Sequence, residues 1–297
     1  MPGPAPTDSS GDPPGYVVVV APGDRIHFLD WGGRGLPGVV LVHGLSASGW
    51  IWAPVARRLI AVRRTVAMDL RGHGLSDAPT DEGAYGLDVL AEDVVAVAEG
   101  SGALDPSAGD PRVVLVGHGF GGIAAAAAAA VLGDRCARLV LVDGGLVDLA
   151  ASTGQDVDEF LRGLDEPPEV MRSMEDYLAD RKSWDSASWD VDQEQAARAA
   201  VVETAAGRLV SATRPHAITA MVRTMFDYRP DAVLSRVDAP IVALRRITPG
   251  DESAASPRNS GGAVSTHGGL TEIDVPAPGH NLLRYRPDEV TAAIFGR

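Results

Sequence analysis

Val113-Val114-Leu115-Val116-Gly117-His118-Gly119-Phe120-Gly121-Gly122 is the stretch of this 297-residue chain that decides how the rest is read. Four consecutive β-formers end in a glycine cluster, and an almost pure alanine run follows through residue 132. A short apolar run bounded by glycines reads as a buried strand, and the alanines read as a helix able to lie close against a sheet. A strand that turns sharply into a helix is the setting in which G-x-S-x-G forms a nucleophile elbow, with its central residue raised above the sheet. Gly117 and Gly121 hold the two flanking positions, and the central position is Gly119 rather than serine.

Working outward, short β-rich runs alternate with helical ones, the pattern of a mostly parallel sheet with helices on both faces. Strands are expected at 16–20, 26–31, 39–42, 65–69, 113–116, 139–142, 241–244 and 270–275, and helices at 52–61, 87–101, 121–132 and 287–295. Between 146 and 236 the strand rhythm stops. Prolines 167, 168 and 215 punctuate a helical segment carrying Trp184, Trp189, Met171, Met174, Met221, Met225 and Phe226. The expected organisation is a disordered tail at 1–15, a core made of 16–145 and 237–297, and a helical cap at 146–236 inserted after the sixth strand. The Gly/Ser/Pro-rich residues 248–269 read as a long loop.

Three further segments complete a constellation. His43-Gly44-Leu45 follows the strand at 39–42 and brings the Leu45 amide to where it can join that of Phe120 as an oxyanion hole. Asp69-Leu70-Arg71-Gly72-His73-Gly74-Leu75-Ser76-Asp77 is a glycine-rich loop after the next strand, and Pro278-Gly279-His280-Asn281 follows the last strand.

On these four segments in this order, the chain from Tyr16 to Arg297 resembles the α/β-hydrolase superfamily, of serine esterase or lactonase type. The resemblance implies an eight-stranded sheet, His280 as general base and the Leu45 and Phe120 amides as oxyanion donors. For the acid it implies one of two places. Asp143 ends the run 139–142, 24 residues beyond Gly119, like the early acid of haloalkane dehalogenases and some lactonases. The later place holds Arg245-Arg246-Ile247-Thr248-Pro249-Gly250-Asp251, which fits poorly, so Asp143 is preferred and Asp251 is the alternative.

Gly119 cannot attack a carbonyl, so the chain as written is expected to be inactive or greatly impaired as a hydrolase of an apolar carboxylic ester or lactone. Because base, acid and oxyanion parts all survive, the glycine reads first as a replacement for serine. Two alternatives stand beside it: a protein that keeps the site only to bind a small molecule, and a cofactor-free lyase or oxygenase using His280 as base on water or on a substrate proton. An epoxide hydrolase or dehalogenase of this fold would need aspartate at 119. A dinucleotide loop normally follows the first strand rather than the fourth or fifth. His43 and His73 read as structural hydrogen bonders, His118 as pointing away beneath the elbow, and His27, His216 and His267 carry no motif. Trp184, Trp189 and Met221 are the expected substrate contacts in the cap.

The net charge of −14 repels nucleic acid and anionic lipid. The expected partner is a small apolar ester or lactone, with a homodimer compatible and with neither nucleic acid nor membrane. No cofactor or metal is expected. Cys136 is the sole cysteine and fits a reducing compartment, hence a cytoplasmic location. The longest apolar run, 123–132, is about half of what a bilayer span requires.

Overall fold

The computed structural model describes residues 11–164, 169–249 and 269–296. Eight strands form one sheet: β1 (Gly15–Val19), β2 (Arg25–Gly32), β3 (Gly38–Val42), β4 (Thr65–Met68), β5 (Val113–His118), β6 (Cys136–Val142), and, after an inserted hairpin of β7 (Val201–Glu203) and β8 (Leu209–Ser211), β9 (Ile241–Ile247) and β10 (Leu270–Pro276). Their order is β1-β2-β4-β3-β5-β6-β9-β10. β1 and β2 pair antiparallel, β2 is antiparallel to β4, and every pairing from β4 to β10 is parallel. This is the α/β-hydrolase fold, a mostly parallel eight-stranded sheet with helices around it.

The Val/Leu runs form the central strands because both faces are covered. On β3, Val40 and Val42 face one core with Leu115 of β5, while Val39 and Leu41 face a second core with Val114 and Val116. The first core is closed by α2 (Leu87–Gly100) and α3 (Phe120–Leu132), and the second by α1 (Ala53–Leu59) and α11 (Pro287–Phe295). Ala124 to Ala129 of α3 are all buried, so the absence of bulk lets the helix settle on both the sheet and α2.

Between β6 and β9 the chain forms α4 (Leu149–Thr153), α5 (Val157–Leu164), α6 (Met174–Trp184), α7 (Val191–Ala199), α8 (Pro215–Asp227) and α9 (Pro230–Leu234). The expected all-helical character is interrupted by the β7–β8 hairpin. Its turn, with Gly207 at φ +68°, carries the chain back where no apolar alternation had announced a strand. The short α10 (Leu282–Tyr285) behind His280 was likewise not anticipated.

The expected tail is also shorter than drawn. The Asp30 amide donates to Pro14 O, and Gly15 already pairs with Leu29, because β2 offers an edge whose backbone groups need partners. Residues 1–10 of that tail, Asp251, His267 and most of the 248–269 loop lie outside the described residues. Among the described residues no helix is long and apolar enough to cross a membrane.

Candidate active site

Strand order reverses between β3 and β5: the chain moves to one side for β4 and to the other for β6. Loops leaving the carboxyl ends of neighbouring parallel strands diverge at such a point and open a crevice. Leu45 leaves β3 there, Gly119 leaves β5, Asp143 leaves β6, and His280 arrives after β10. The expected constellation is thus assembled by topology.

Gly119 adopts φ 54°, ψ −121°, a backbone conformation that costs a residue bearing Cβ about 1–3 kcal/mol. The turn is sharp because the flanking glycines allow close approach. A Cβ on Gly121 would strike the carbonyls of Val42 and His43, and one on Gly117 would strike the backbone of Gly121 and Gly122. The Gly119 amide donates to Val142 O at 3.0 Å and its carbonyl accepts from Gly122 N at 3.0 Å, pinning the bend to β6 and to α3.

A Cβ built on Gly119 points at His280, with Nε2 at 3.1 Å and Cε1 at 3.7 Å. His280 Nδ1–H donates to Asp143 Oδ2 at 2.5 Å, while Asp143 Oδ1 accepts the Arg246 amide at 2.9 Å. With Nδ1 carrying the proton, Nε2 presents its lone pair to the bend. Burial alone would raise the Asp143 carboxyl, yet the His280 and Arg246 hydrogen bonds and the nearby imidazoles hold it below its ordinary 3.8. Asp143 is also one of two non-glycine residues with positive φ among the described residues, at 47°. That strain is compensated by the bonds its carboxylate makes.

Leu45 and Phe120 line the same cavity as Gly119, His280 and Asp143. Among the described residues neither of their amides donates a backbone hydrogen bond outside the regular elements. Phe120 is the first residue of α3, whose opening amides have no intrahelical acceptor and carry the positive end of the helix dipole. An oxygen between these two amides would meet the donors that acyl-transfer chemistry requires. The cavity holds about 630 Å³ and is walled mainly by apolar side chains, including Ile51, Ile123, Val147, Leu149 and Met225.

The expected cap contacts fall elsewhere. Trp184 is 71% exposed, its ring covered by the Arg181 guanidinium at 4.1 Å. Trp189 ends a short 3-10 turn away from the cavity wall, and Met221 is fully buried in the first core. On α8 the residue one turn further, Met225, is the one at the cavity. Aromatic or sulfur-bearing character does not place a cap residue at the cavity; helix phase relative to the sheet decides, and the sequence does not state it.

His118 does not point away. Its ring packs on His280 with centroids 4.4 Å apart, and its Nε2–H donates to His280 O at 3.2 Å. The backbone reversal at Gly119 ends the strand alternation that had placed it beneath the elbow. Burial, with the charge of His280, pushes it down to about 4, so it is neutral at pH 7. His43 and His73 are structural, as read: His43 Nε2 accepts the Leu70 amide at 3.0 Å, and His73 Nε2 accepts the Ser46 amide at 3.2 Å. Between them they tie the Leu45 loop to the 69–77 loop. Among the described residues no cluster of three or more His, Cys, Asp or Glu could hold a metal ion.

Similarity to known proteins agrees with this architecture. The family model described as alpha/beta hydrolase fold matches residues 37–205, more than half of the chain. Epoxide hydrolase 4 of Mus musculus is 33% identical over 128 residues, 43% of this chain and 34% of that protein. The N-formylmaleamate deformylase of Pseudomonas putida is 39% identical over 125 residues, 42% of this chain and 43% of that one. The chain therefore aligns with less than half the length of either relative. Among solved structures, the thioesterase domain from the curacin biosynthetic pathway superposes with a TM-score of 0.72 at 19% identity, covering 95% of this chain and 99% of that one. E-2-(Acetamidomethylene)succinate hydrolase gives 0.70 at 18%, covering 95% and 98%. At those identities the structures speak for the fold alone, but the family model and the sheet order agree: this chain belongs to the α/β-hydrolase fold family.

Proposed function

We propose that the cavity is an acyl-transfer site of the serine-hydrolase type for a neutral, apolar carboxylic ester or lactone, with Gly119 standing where the nucleophile would be. The observation that carries this reading is directional: the Cβ vector at residue 119 meets His280 Nε2 at 3.1 Å, beside the two amides that would hold a carbonyl oxygen. The apolar walls support the substrate class.

In the proposed chemistry the substrate carbonyl oxygen sits between the Leu45 and Phe120 amides, which favour the charge that develops there. His280 accepts a proton at Nε2 while Asp143 holds the imidazole in the required tautomer and offsets its charge. A serine at 119 would place its hydroxyl between Cβ and Nε2. The half-exposed His280 ring would withdraw by a few tenths of an ångström to admit it. Glycine leaves the substrate bound and oriented but without a covalent partner. An epoxide-opening reading, suggested by the epoxide hydrolase relatives, asks for a carboxylate at 119 that glycine does not provide.

The test is Gly119→Ser, assayed against p-nitrophenyl esters of short and medium acids and a panel of lactones. We expect a burst of phenolate followed by turnover, and a gain of about 10³-fold or more over the unaltered chain, given that loss of a serine nucleophile costs on the order of 10⁶ in a well-studied case. No gain on any member of the panel, in a folded variant, would overturn the reading.

A further inference from the structure

The space left by the missing side chain at Gly119 has a chemistry of its own. Outside residues 118–120, the heavy atoms nearest to the point a Cβ would occupy are His280 Nε2 at 3.1 Å, Gly44 Cα at 3.7 Å and His280 Cε1 at 3.7 Å. For a carbon, 3.1 Å from an imidazole nitrogen is crowded. For a hydroxyl or amine donor it is hydrogen-bonding distance, and 3.7 Å from the two carbons is ordinary van der Waals contact. The nitrogen it would meet is an acceptor, because Nδ1–H is already committed to Asp143. The position therefore favours a small polar donor over an apolar group, and it adjoins the cavity and the Leu45 and Phe120 amides.

Resting on the reading of the cavity as an acyl site, we infer that the gap at Gly119 binds a small O–H or N–H nucleophile from solution and that the unaltered chain transfers the acyl group to it in one step. His280 Nε2 takes the proton from the nucleophile as its oxygen or nitrogen bonds to the carbonyl carbon. The carbonyl–oxygen bond to the leaving alcohol then breaks, and His280 returns the proton to that alcohol. An ester and a nucleophile become a new acyl compound and an alcohol, with no acyl-enzyme between them. Water is the default nucleophile. Small amines and primary alcohols compete for the same place, whereas groups branched at the nucleophilic atom would meet His280 Nε2 and Gly44 Cα, 3.1 and 3.7 Å from its centre.

Hydroxylamine is the probe. With p-nitrophenyl butyrate and the unaltered chain, hydroxamate formation is expected to rise linearly with hydroxylamine and to run at least tenfold faster than in His280→Ala. N-tert-butylhydroxylamine is expected to give no gain. Gly119→Ala, whose methyl fills the gap, is expected to lower the rate at least tenfold. Equal rates for the two nucleophiles, or in the two variants and the unaltered chain, would overturn the inference. Should alanine at φ +54° prevent folding, the contrast between the two nucleophiles on the unaltered chain decides the matter alone. Turnover by Gly119→Ser without hydroxamate formation by the unaltered chain would sink this inference and leave the acyl-site reading standing. Silence in both would sink both.

Discussion

Among the described residues two histidine–aspartate pairs look alike in distance and in the lowering of the carboxyl, and differ in their surroundings. His27 Nδ1–H donates to Asp69 Oδ2 at 2.8 Å, and His280 Nδ1–H donates to Asp143 Oδ2 at 2.5 Å. Both carboxyls are held below their ordinary 3.8 despite burial that would raise them, chiefly by the hydrogen bond from the imidazole. The side chains of the first pair are 8% and 5% exposed, those of the second 58% and 18%. Asp69 also accepts the Gly49 amide at 2.7 Å and the Leu75 amide at 3.0 Å. A Cβ on Gly15 of β1 would come within 2.4 Å of His27 Nε2, so that nitrogen lies against β1, although the pair borders a smaller cavity of about 280 Å³. At His280 that nitrogen faces a cavity. A dyad alone is therefore no sign of catalysis; the direction of its second nitrogen is.

Asparagine substitution breaks this comparison most sharply. In the Gly119→Ser background, Asp143→Asn is expected to lower turnover by about 10⁴-fold while leaving the fold nearly as stable, because the wrong tautomer no longer offers Nε2 as a base. Asp69→Asn is expected to do the reverse. Turnover per folded molecule stays within tenfold, and urea unfolding shows a loss of about 1–3 kcal/mol, since the Gly49 and Leu75 amides and His27 lose a charged acceptor in a buried place. Equal kinetic damage from both substitutions would mean that the two pairs form one functional unit.

How far the sequence reveals this difference depends on what kind of information each residue carries. Gly119, Asp143 and His280 were legible because each is a loop residue just after a strand, and parallel strands bring such residues to one edge. Leu45 and Phe120 would act through backbone amides, so their place in the turns was enough to bring them to the cavity. The His27–Asp69 pair was not legible: residues 27 and 69 belong to antiparallel neighbours whose register is set by tertiary pairing, with Phe28 opposite Met68. His118 was misread for a local reason, the single positive-φ residue after it. The cavity wall was missed for a global one, because the phase of α8 depends on how the insertion docks, through bonds such as Tyr228 OH to Gly145 O at 2.8 Å.

Acid acts on the buried imidazoles. Burial pushes His73 down to about 3 and His118 to about 4, and lowers His43 from 6.5. For His73 and His118 the folded value lies below the unfolded one, so between about pH 6.5 and 4 the unfolded chain binds more protons at both. Stability is therefore full above about pH 6.5 and falls as the solution is acidified, by about 1.4 kcal/mol per pH unit for each such group. Denaturant titrations from pH 7.5 to 4 measure the slope. His73→Gln is expected to reduce it by one group's share, whatever it does to the stability at neutral pH. A flat profile above pH 4.5 would show that these rings are not held neutral by burial.

The smallest effect concerns which part of the insertion meets substrate. Met225 lies at the cavity and Met221, one turn earlier on α8, lies in the core. In the Gly119→Ser background, Met225→Ala removes apolar contact worth about 1 kcal/mol and is expected to raise KM for apolar esters about threefold to tenfold. The effect should grow with acyl length, because longer chains reach further along α8. Trp184→Ala removes an exposed ring that the Arg181 guanidinium covers at 4.1 Å, an interaction worth about 0.5–1 kcal/mol at such sites. It is expected to leave KM within twofold at every acyl length. Should Trp184→Ala raise KM as much as Met225→Ala does, the insertion must close further over the substrate than its position here allows, and the cavity wall in the working state would include α6.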